Sequence, residues 1–170
     1  MNNNAFLIAG STGFLGSKVL NFLSKEDTKI YCLSRRKNML DHKNIEELII
    51  DFETLEEFEL PKIDHIFLCL GYELRAWELL FMPEKLKKSF YKVDYEYTLN
   101  IAKKSLDVGA SSVSLISAVG ANKNSSSFYL KIKGDLENEI KKLPFKTINI
   151  FQPGHLAGRI DWQRKKNDFT

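Results

Sequence analysis

A glycine-rich turn near the start of the chain is the feature that most constrains its fold. Gly10, Gly13 and Gly16 follow an apolar run at 5–9 and precede a helical pattern over 14–24. The order of strand, glycine turn and helix is what binding of a dinucleotide diphosphate requires. The same spacing also occurs in ordinary turns, but the flanking strand and helix favour phosphate binding by the free N–H groups at the helix start. The predicted cofactor-binding residues of this turn are Gly10, Ser11, Thr12, Gly13, Phe14, Leu15 and Gly16.

Strand and helix patterns alternate along the rest of the chain. Runs typical of strands lie at 5–9, 29–33, 48–50, 63–70, 113–117 and 146–151. Amphipathic helices are predicted over 14–24, from Pro83 to Gly109, and from Ser125 to Pro144. This order predicts an α/β fold, a doubly wound parallel sheet with helices on both faces. We expect one domain over 1–160, a polar tail over 161–170, and a helix or a lid over a cleft at 72–82.

Composition argues against several classes of function. The net charge of +3 comes from charges of mixed sign, without the concentrated basic stripe of a nucleic-acid-binding protein. No apolar stretch reaches the roughly 20 residues that span a bilayer, and the first residues lack the pattern of a secretion signal. Cys32 and Cys69 lie within apolar runs and belong to no metal-ligand cluster. We therefore expect buried free thiols in a cytoplasmic protein without a metal site.

The residues that follow the second and third strands bear on the choice of dinucleotide. An NAD site normally has a carboxylate about 20 residues beyond the glycines, but Ser34 and Arg35 stand there instead. A guanidinium binds phosphate oxygens in a bidentate manner, which suits the 2′-phosphate of NADP(H). We therefore predict NADP(H) rather than NAD, the alternative being a basic loop that faces water. Asp51, after the third strand, is predicted either to approach the adenine or to serve as a turn residue.

Three side chains later in the chain form a candidate catalytic group. Tyr129 and Lys133 are spaced i, i+4 and so share a helix face, while Ser117 ends the preceding strand. An ammonium beside a tyrosine lowers the pKa of the phenol, which favours proton transfer to a carbonyl oxygen. The Ser117 hydroxyl is predicted to polarise the same carbonyl, and Lys133 to hold a ribose as well. In the alternative interpretation, Tyr129 packs at the edge of an apolar stripe and Lys133 is solvated.

Together these motifs resemble the atypical short-chain dehydrogenases/reductases. The pattern comprises the three glycines, Cys69-Leu70-Gly71, Ser117, Tyr129-x-x-x-Lys133-Gly134 and Gln152-Pro153-Gly154, and it is similar to the branch of the Tat-interacting oxidoreductase and the NmrA-like proteins. The resemblance covers about residues 5–160. It implies a Rossmann fold, NADP binding and, in many members, carbonyl reduction. It also places Leu70, Gly71 and Pro153 at the cofactor, and implies that the long central helix pairs across a homodimer.

The sequence departs from that family in two places. Asp94 stands where members often carry an asparagine that supports a proton relay, and relatives continue well beyond the point where this chain stops at Thr170. The chain is therefore expected to be a fragment or to lack much of the usual substrate pocket. Two functions remain open: an NADPH-dependent oxidoreductase acting on a small carbonyl compound, and a non-catalytic NADP(H)-binding sensor. A nucleotide-sugar-modifying enzyme of the extended class is a more distant alternative.

Overall fold

The computed structural model describes residues 4–37, 42–74, 76–79, 81–154 and 156. The strands are β1 (Ala5–Ala9), β2 (Lys29–Ser34), β3 (Ile45–Ile49), β4 (His65–Leu68), β5 (Ser112–Ile116) and β6 (Thr147–Phe151). The α-helices are α1 (Phe14–Leu23), α2 (Glu84–Tyr91), α3 (Thr98–Asp107) and α4 (Phe128–Lys142). Residues Phe52–Glu57 and Ala76–Leu79 form two short 3₁₀ helices, and residues Lys92–Tyr97 form a π-helical segment. The predicted tail and the last residues of the predicted domain, 157–160, lie outside the described residues.

All six strands form one sheet in the order β3-β2-β1-β4-β5-β6, and every neighbouring pair is parallel. The chain order reverses between β1 and β4, so this is the doubly wound arrangement and the fold prediction is confirmed. Because parallel strands end at the same edge, the residues after β1, β4 and β5 meet there. Ligands of such sheets bind in the crevice at this edge, next to the point of reversal.

The two faces of the sheet are covered by different helices. Leu7, Ile8 and Ala9 of β1 are fully buried, as expected of a parallel strand enclosed on both sides. Ile8 packs in one cluster with Leu20 and Leu23 of α1. Leu7 and Ala9 belong to the larger cluster on the other face, which includes apolar residues of α3 and α4. The glycine turn and α4 therefore approach the same sheet edge from opposite faces.

The structure differs from the sequence-based expectation in the central helix. Instead of one regular helix from Pro83 to Gly109, α2 and α3 are joined by the π-helical segment Lys92–Tyr97. The hydroxyl of Thr98, the first residue of α3, donates to the carbonyl of Val93 in the π-helical segment, five residues back, at 3.0 Å. Apolar spacing does not reveal such a segment, because the helices on either side keep their own period. Short π segments are frequent at functional sites, and this one carries the buried side chain of Asp94.

Two further segments differ in extent from their predictions. β3 begins at Ile45 rather than 48, because an edge strand tolerates the charged side chains of Glu46 and Glu47 on its partly exposed faces. The apolar segment 72–82 contains only the 3₁₀ turn Ala76–Leu79 where it is described, and not a longer helix.

Among the described residues, no helix has the length and apolar character needed to cross a membrane.

Candidate functional site

The glycine turn is built so tightly that two of its positions exclude any side chain. Gly10 has a φ of +90°, and a Cβ there would lie 2.6 Å from the Cys69 carbonyl oxygen. A Cβ on Gly16 would lie 2.1 Å from the Gly10 carbonyl oxygen. The turn is thus pressed against the loop after β4 on one side and against α1 on the other. These contacts give the first and third glycines the roles expected of a phosphate-binding turn.

The start of α1 fits a dinucleotide phosphate. Gly13 is the N-cap residue, and no side chain caps the first turn of the helix. The Ser11 hydroxyl is buried and has no hydrogen-bond partner in the described part of the chain, apart from a weak interaction with the Cys32 thiol. Free N–H groups at a helix start, together with an unsatisfied buried hydroxyl, match the needs of an anionic ligand. Thr12 is exposed beside them, while Phe14 and Leu15 are half-buried on the first turn of α1.

Beyond the turn, the structure places the predicted specificity residues at the ends of β2 and β3. Arg35 is exposed immediately after β2, and the Ser34 hydroxyl donates to the Arg36 carbonyl oxygen at 2.7 Å. An Asp51 carboxylate oxygen accepts the Glu53 N–H at 3.0 Å and caps the 3₁₀ segment that follows β3. This contact is the turn role that the sequence left open for Asp51. Contact of any of these residues with a nucleotide stays a prediction.

A buried ion pair lies at the centre of the candidate site. Lys133 Nζ of α4 lies 2.6 Å from Asp94 Oδ1 of the π-helical segment, and both side chains are less than a tenth exposed. The second carboxylate oxygen, Asp94 Oδ2, accepts the backbone N–H of Tyr72 at 2.6 Å. Asp94 thereby links α4 to the loop after β4, and this loop contacts Gly10 through Cys69. The alternative with a solvated Lys133 is wrong, because the ammonium group is buried and paired.

The predicted catalytic serine also contacts an acidic side chain of α4. Ser117 Oγ donates to Glu137 Oε1 at 2.5 Å, and both residues are buried. Gln152 Nε2 donates to the same oxygen at 2.7 Å from the loop after β6. Lys141 Nζ lies 3.5 Å from the other oxygen, Oε2. Glu137 therefore joins the ends of β5 and β6 to α4.

Tyr129 lies on the first turn of α4, one helical turn before Lys133. Its ring is half-buried and packs on the fully buried ring of Phe90 from α2, with centroids 5.4 Å apart. Tyr129, Lys133 and Glu137 follow one another at intervals of four residues and so share one face of α4. The structure thus places Tyr129 and Lys133 on the face of α4 that also carries Glu137, to which Ser117 is bonded, and the catalytic use of the three predicted residues stays a prediction.

The residues that the family resemblance assigned to the cofactor border the same edge of the sheet. Leu70 and Gly71 follow β4, and Gly71 lies close to Asp94, since a Cβ there would be 3.9 Å from Oδ1. The Pro153 carbonyl oxygen, after β6, accepts the Val119 N–H at 3.1 Å. Their contact with a cofactor also stays a prediction. The motif residue His155 lies outside the described part of the chain.

The sequence analysis did not single out Glu137, and it noted Gln152 as part of the family pattern without a role. The available signal was the repeat of polar residues at positions 129, 133 and 137 within an otherwise apolar face of α4. A charged residue at such a position is either buried with a partner or placed at the margin of the face, and spacing does not distinguish the two.

Within the described ranges, no group of three or more potential ligand side chains forms a metal site.

Comparisons with known proteins agree with the doubly wound fold described above. The model of the NAD dependent epimerase/dehydratase family matches residues 6–127. Protein HTATIP2 of Rattus norvegicus is 29% identical over 163 residues, a match that covers 92% of this chain but only 64% of the rat protein. The mitochondrial protein FMP52 of Lodderomyces elongisporus is 32% identical, covering 92% of this chain and 68% of the relative. Serine dehydrogenase from Escherichia coli has the same fold, with a TM-score of 0.74 at 14% identity, covering 91% of this chain and 83% of the dehydrogenase.

Proposed function

The chain belongs to the NAD dependent epimerase/dehydratase family, and on that premise we propose that it is an NADPH-dependent oxidoreductase that reduces a small carbonyl compound. The observation that carries the proposal is the placement of Lys133. Its ammonium group is buried at the sheet edge one helical turn after Tyr129, on the helix that faces the end of β5. A buried lysine beside a tyrosine is a recurring way to prepare a phenol for proton transfer.

Each residue of the group has a task that its contacts allow. A bound nicotinamide cofactor would supply the hydride, and Tyr129 would donate a proton to the carbonyl oxygen. Lys133 has three N–H donors and gives one to Asp94, its one partner among the described residues, so the other two can serve a ribose hydroxyl and the Tyr129 phenol. The pairing with Asp94 also fixes the direction in which the lysine points. Phe90 holds the Tyr129 ring from the side of α2.

Replacing Tyr129 with phenylalanine tests the catalytic assignment. Loss of a positioned proton donor lowers kcat by about a hundred- to ten-thousand-fold. The affinity for NADPH, followed by fluorescence titration, should change little because the ring remains. Tyr91→Phe is the matched control, since this partly exposed tyrosine stacks on Tyr95 on the neighbouring helical segment. The measurement is the consumption of NADPH with a panel of aldehydes and ketones, and full activity of Tyr129→Phe would refute the assignment.

Preference for NADPH over NADH is the part of the proposal that Arg35 supports. Its exposed position after β2 suits the 2′-phosphate, to which a charge-assisted hydrogen bond is worth about 1.5–3 kcal/mol. Arg35→Ala should therefore weaken NADPH binding by about ten- to a hundred-fold and leave NADH binding unchanged. Lys37→Ala is the control for a general loss of positive charge in this loop. Equal effects of Arg35→Ala on the two nucleotides would remove the basis for the preference.

One observation favours a second function, a non-catalytic NADP(H)-binding sensor. The Asp94 carboxylate neutralises Lys133, and this opposes the effect of the ammonium group on the phenol. A sensor needs the glycine turn and the ribose contact but not a reactive tyrosine. Tight NADPH binding without consumption of NADPH by any compound of the panel would favour this function over the oxidoreductase.

A further inference from the structure

Three segments of the chain converge on one carboxylate oxygen. Glu137 Oε1 accepts hydrogen bonds from Ser117 Oγ, after β5, and from Gln152 Nε2, after β6. Glu137 itself lies on α4 with 5% of its surface exposed. Burying a carboxylate costs several kcal/mol unless hydrogen bonds and charges compensate it. Part of the compensation here comes from Ser117, the residue that the sequence predicts to contact the substrate carbonyl.

The contacts determine which partner holds the proton between Ser117 and Glu137. Oε1 already accepts from the Gln152 amide at 2.7 Å, and Oε2 faces the Lys141 ammonium at 3.5 Å. The Gln152 amide N–H and the Lys141 ammonium can only donate, so both direct hydrogens at carboxylate oxygens that act as acceptors. Glu137 is therefore the acceptor and Ser117 the donor in their 2.5 Å hydrogen bond.

A serine hydroxyl has a single proton, so its direction decides what the residue can do. With the proton directed to Glu137, Ser117 has no hydrogen to give to a substrate carbonyl. Its remaining lone pairs can accept a hydrogen bond from a hydroxyl group, such as that of an alcohol. This differs from the role of carbonyl polariser that the sequence suggested for Ser117.

We propose that Glu137 is a positioning residue that holds the proton of Ser117 and so presents Ser117 as a hydrogen-bond acceptor. The group it receives is the hydroxyl of the alcohol that is formed by reduction of the carbonyl. The proposal rests on the oxidoreductase function. It assigns to Glu137 an effect on turnover that passes through Ser117 and leaves nucleotide binding at the glycine turn unaffected.

A double-mutant cycle tests this coupling. Glu137→Gln introduces an N–H group that can donate to Ser117 and release the serine proton, so kcat should fall about ten- to a hundred-fold. On the Ser117→Ala background, the same substitution should change kcat by less than about twofold. NADPH affinity should stay constant in all variants. Glu139→Gln is the control, because Glu139 lies on the same helix in a partly exposed ion pair with Lys142, and it should leave kcat unchanged.

Two results would overturn the proposed role of Glu137, and a third would also refute the oxidoreductase function on which that role rests. An equal loss of kcat from Glu137→Gln on both backgrounds shows a structural effect that does not pass through Ser117. A wild-type level of kcat in Glu137→Gln also removes the role of Glu137, while the oxidoreductase function stands. No turnover of any carbonyl or alcohol by the unmodified protein refutes the oxidoreductase function itself and the role of Glu137 with it.

Proton NMR of the unmodified protein gives a measurement that does not depend on the folding of a variant. A serine proton donated into a buried carboxylate exchanges slowly with water, so its hydroxyl signal should be observable and shifted downfield. The signal should persist in Glu139→Gln and disappear in Ser117→Ala. Its absence from the unmodified protein would contradict the direction of the hydrogen bond and overturn the proposal.

Discussion

Replacing Asp94 with alanine should destabilise the protein by about 3–5 kcal/mol, because it leaves Lys133 charged and unpaired in the interior. At 2.6 Å and an effective dielectric constant of about 20, the attraction between the two groups is ~6 kcal/mol. Withdrawing each ion from water costs several kcal/mol, so the intact pair is close to neutral for stability. Removal of one partner eliminates the attraction but keeps the desolvation of Lys133. The loss is large against a total stability of about 5–15 kcal/mol for a typical domain.

A second ion pair in the same molecule provides a matched control. Lys142 Nζ and Glu139 Oε1 are also 2.6 Å apart, but their side chains are 68% and 37% exposed. Exposed pairs contribute about 0–1 kcal/mol, so Glu139→Ala should cost no more than ~1 kcal/mol. The distance is the same in the two pairs, but only the first pair is buried, and Asp94 also accepts the Tyr72 N–H. A larger cost at Asp94 is therefore expected from its burial together with the loss of this hydrogen bond.

The assay is equilibrium unfolding in urea, followed by circular dichroism, with the free energy of unfolding extrapolated to water. Asp94→Asn should cost about half as much as Asp94→Ala, because its amide oxygen still accepts from Lys133 or from the Tyr72 N–H. The double variant Asp94→Leu with Lys133→Met should recover most of the loss, since it removes both charges. Equal costs for Asp94→Ala and Glu139→Ala would refute the reasoning.

Three other predictions concern the glycine turn, the thiols of Cys32 (buried) and Cys69 (half-buried), and the half-buried imidazole of His65. Gly16→Ala should weaken NADPH binding more than tenfold in a fluorescence titration, because its Cβ would lie 2.1 Å from the Gly10 carbonyl oxygen and force the turn to move; unchanged affinity would contradict the role of this turn. Burial raises the pKa of the Cys69 thiol to about 12 and that of Cys32 to about 11, so a thiol reagent at neutral pH should react slowly with the folded protein and rapidly in urea. Burial lowers the pKa of His65, so the unfolded chain binds its proton first and stability should fall as the pH drops below the ordinary histidine range. His65→Gln should flatten that part of the stability profile measured by urea unfolding, and an unchanged profile would show that another group is responsible.

The sequence predicts the sheet because its signals are local. Each buried parallel strand is a short apolar run, and the tight turn at Gly10 requires glycine wherever the rest of the chain lies. The contacts at the site are not local: Asp94 meets Lys133 across 39 positions, and Ser117 meets Glu137 across 20. Spacing on one helix identifies which side chains share a face, but it does not identify the residue on another element that meets them. The π-helical segment has no signal either, since its apolar residues fit the period of the helices that flank it.

The two buried carboxylates bear on the choice between an oxidoreductase and a sensor. A sensor would need the phosphate-binding turn and the ribose contact, and Asp94 with Lys133 is sufficient to build that part of the edge. It would gain nothing from a second buried acid that fixes the proton of Ser117, because an apolar side chain of similar volume would pack α4 at less cost in desolvation. Fixed hydrogen-bond directions are what a reacting group requires, since they spare reorganisation when charge moves. The hydrogen bond between Ser117 and Glu137 therefore favours the proposed catalytic function over binding alone.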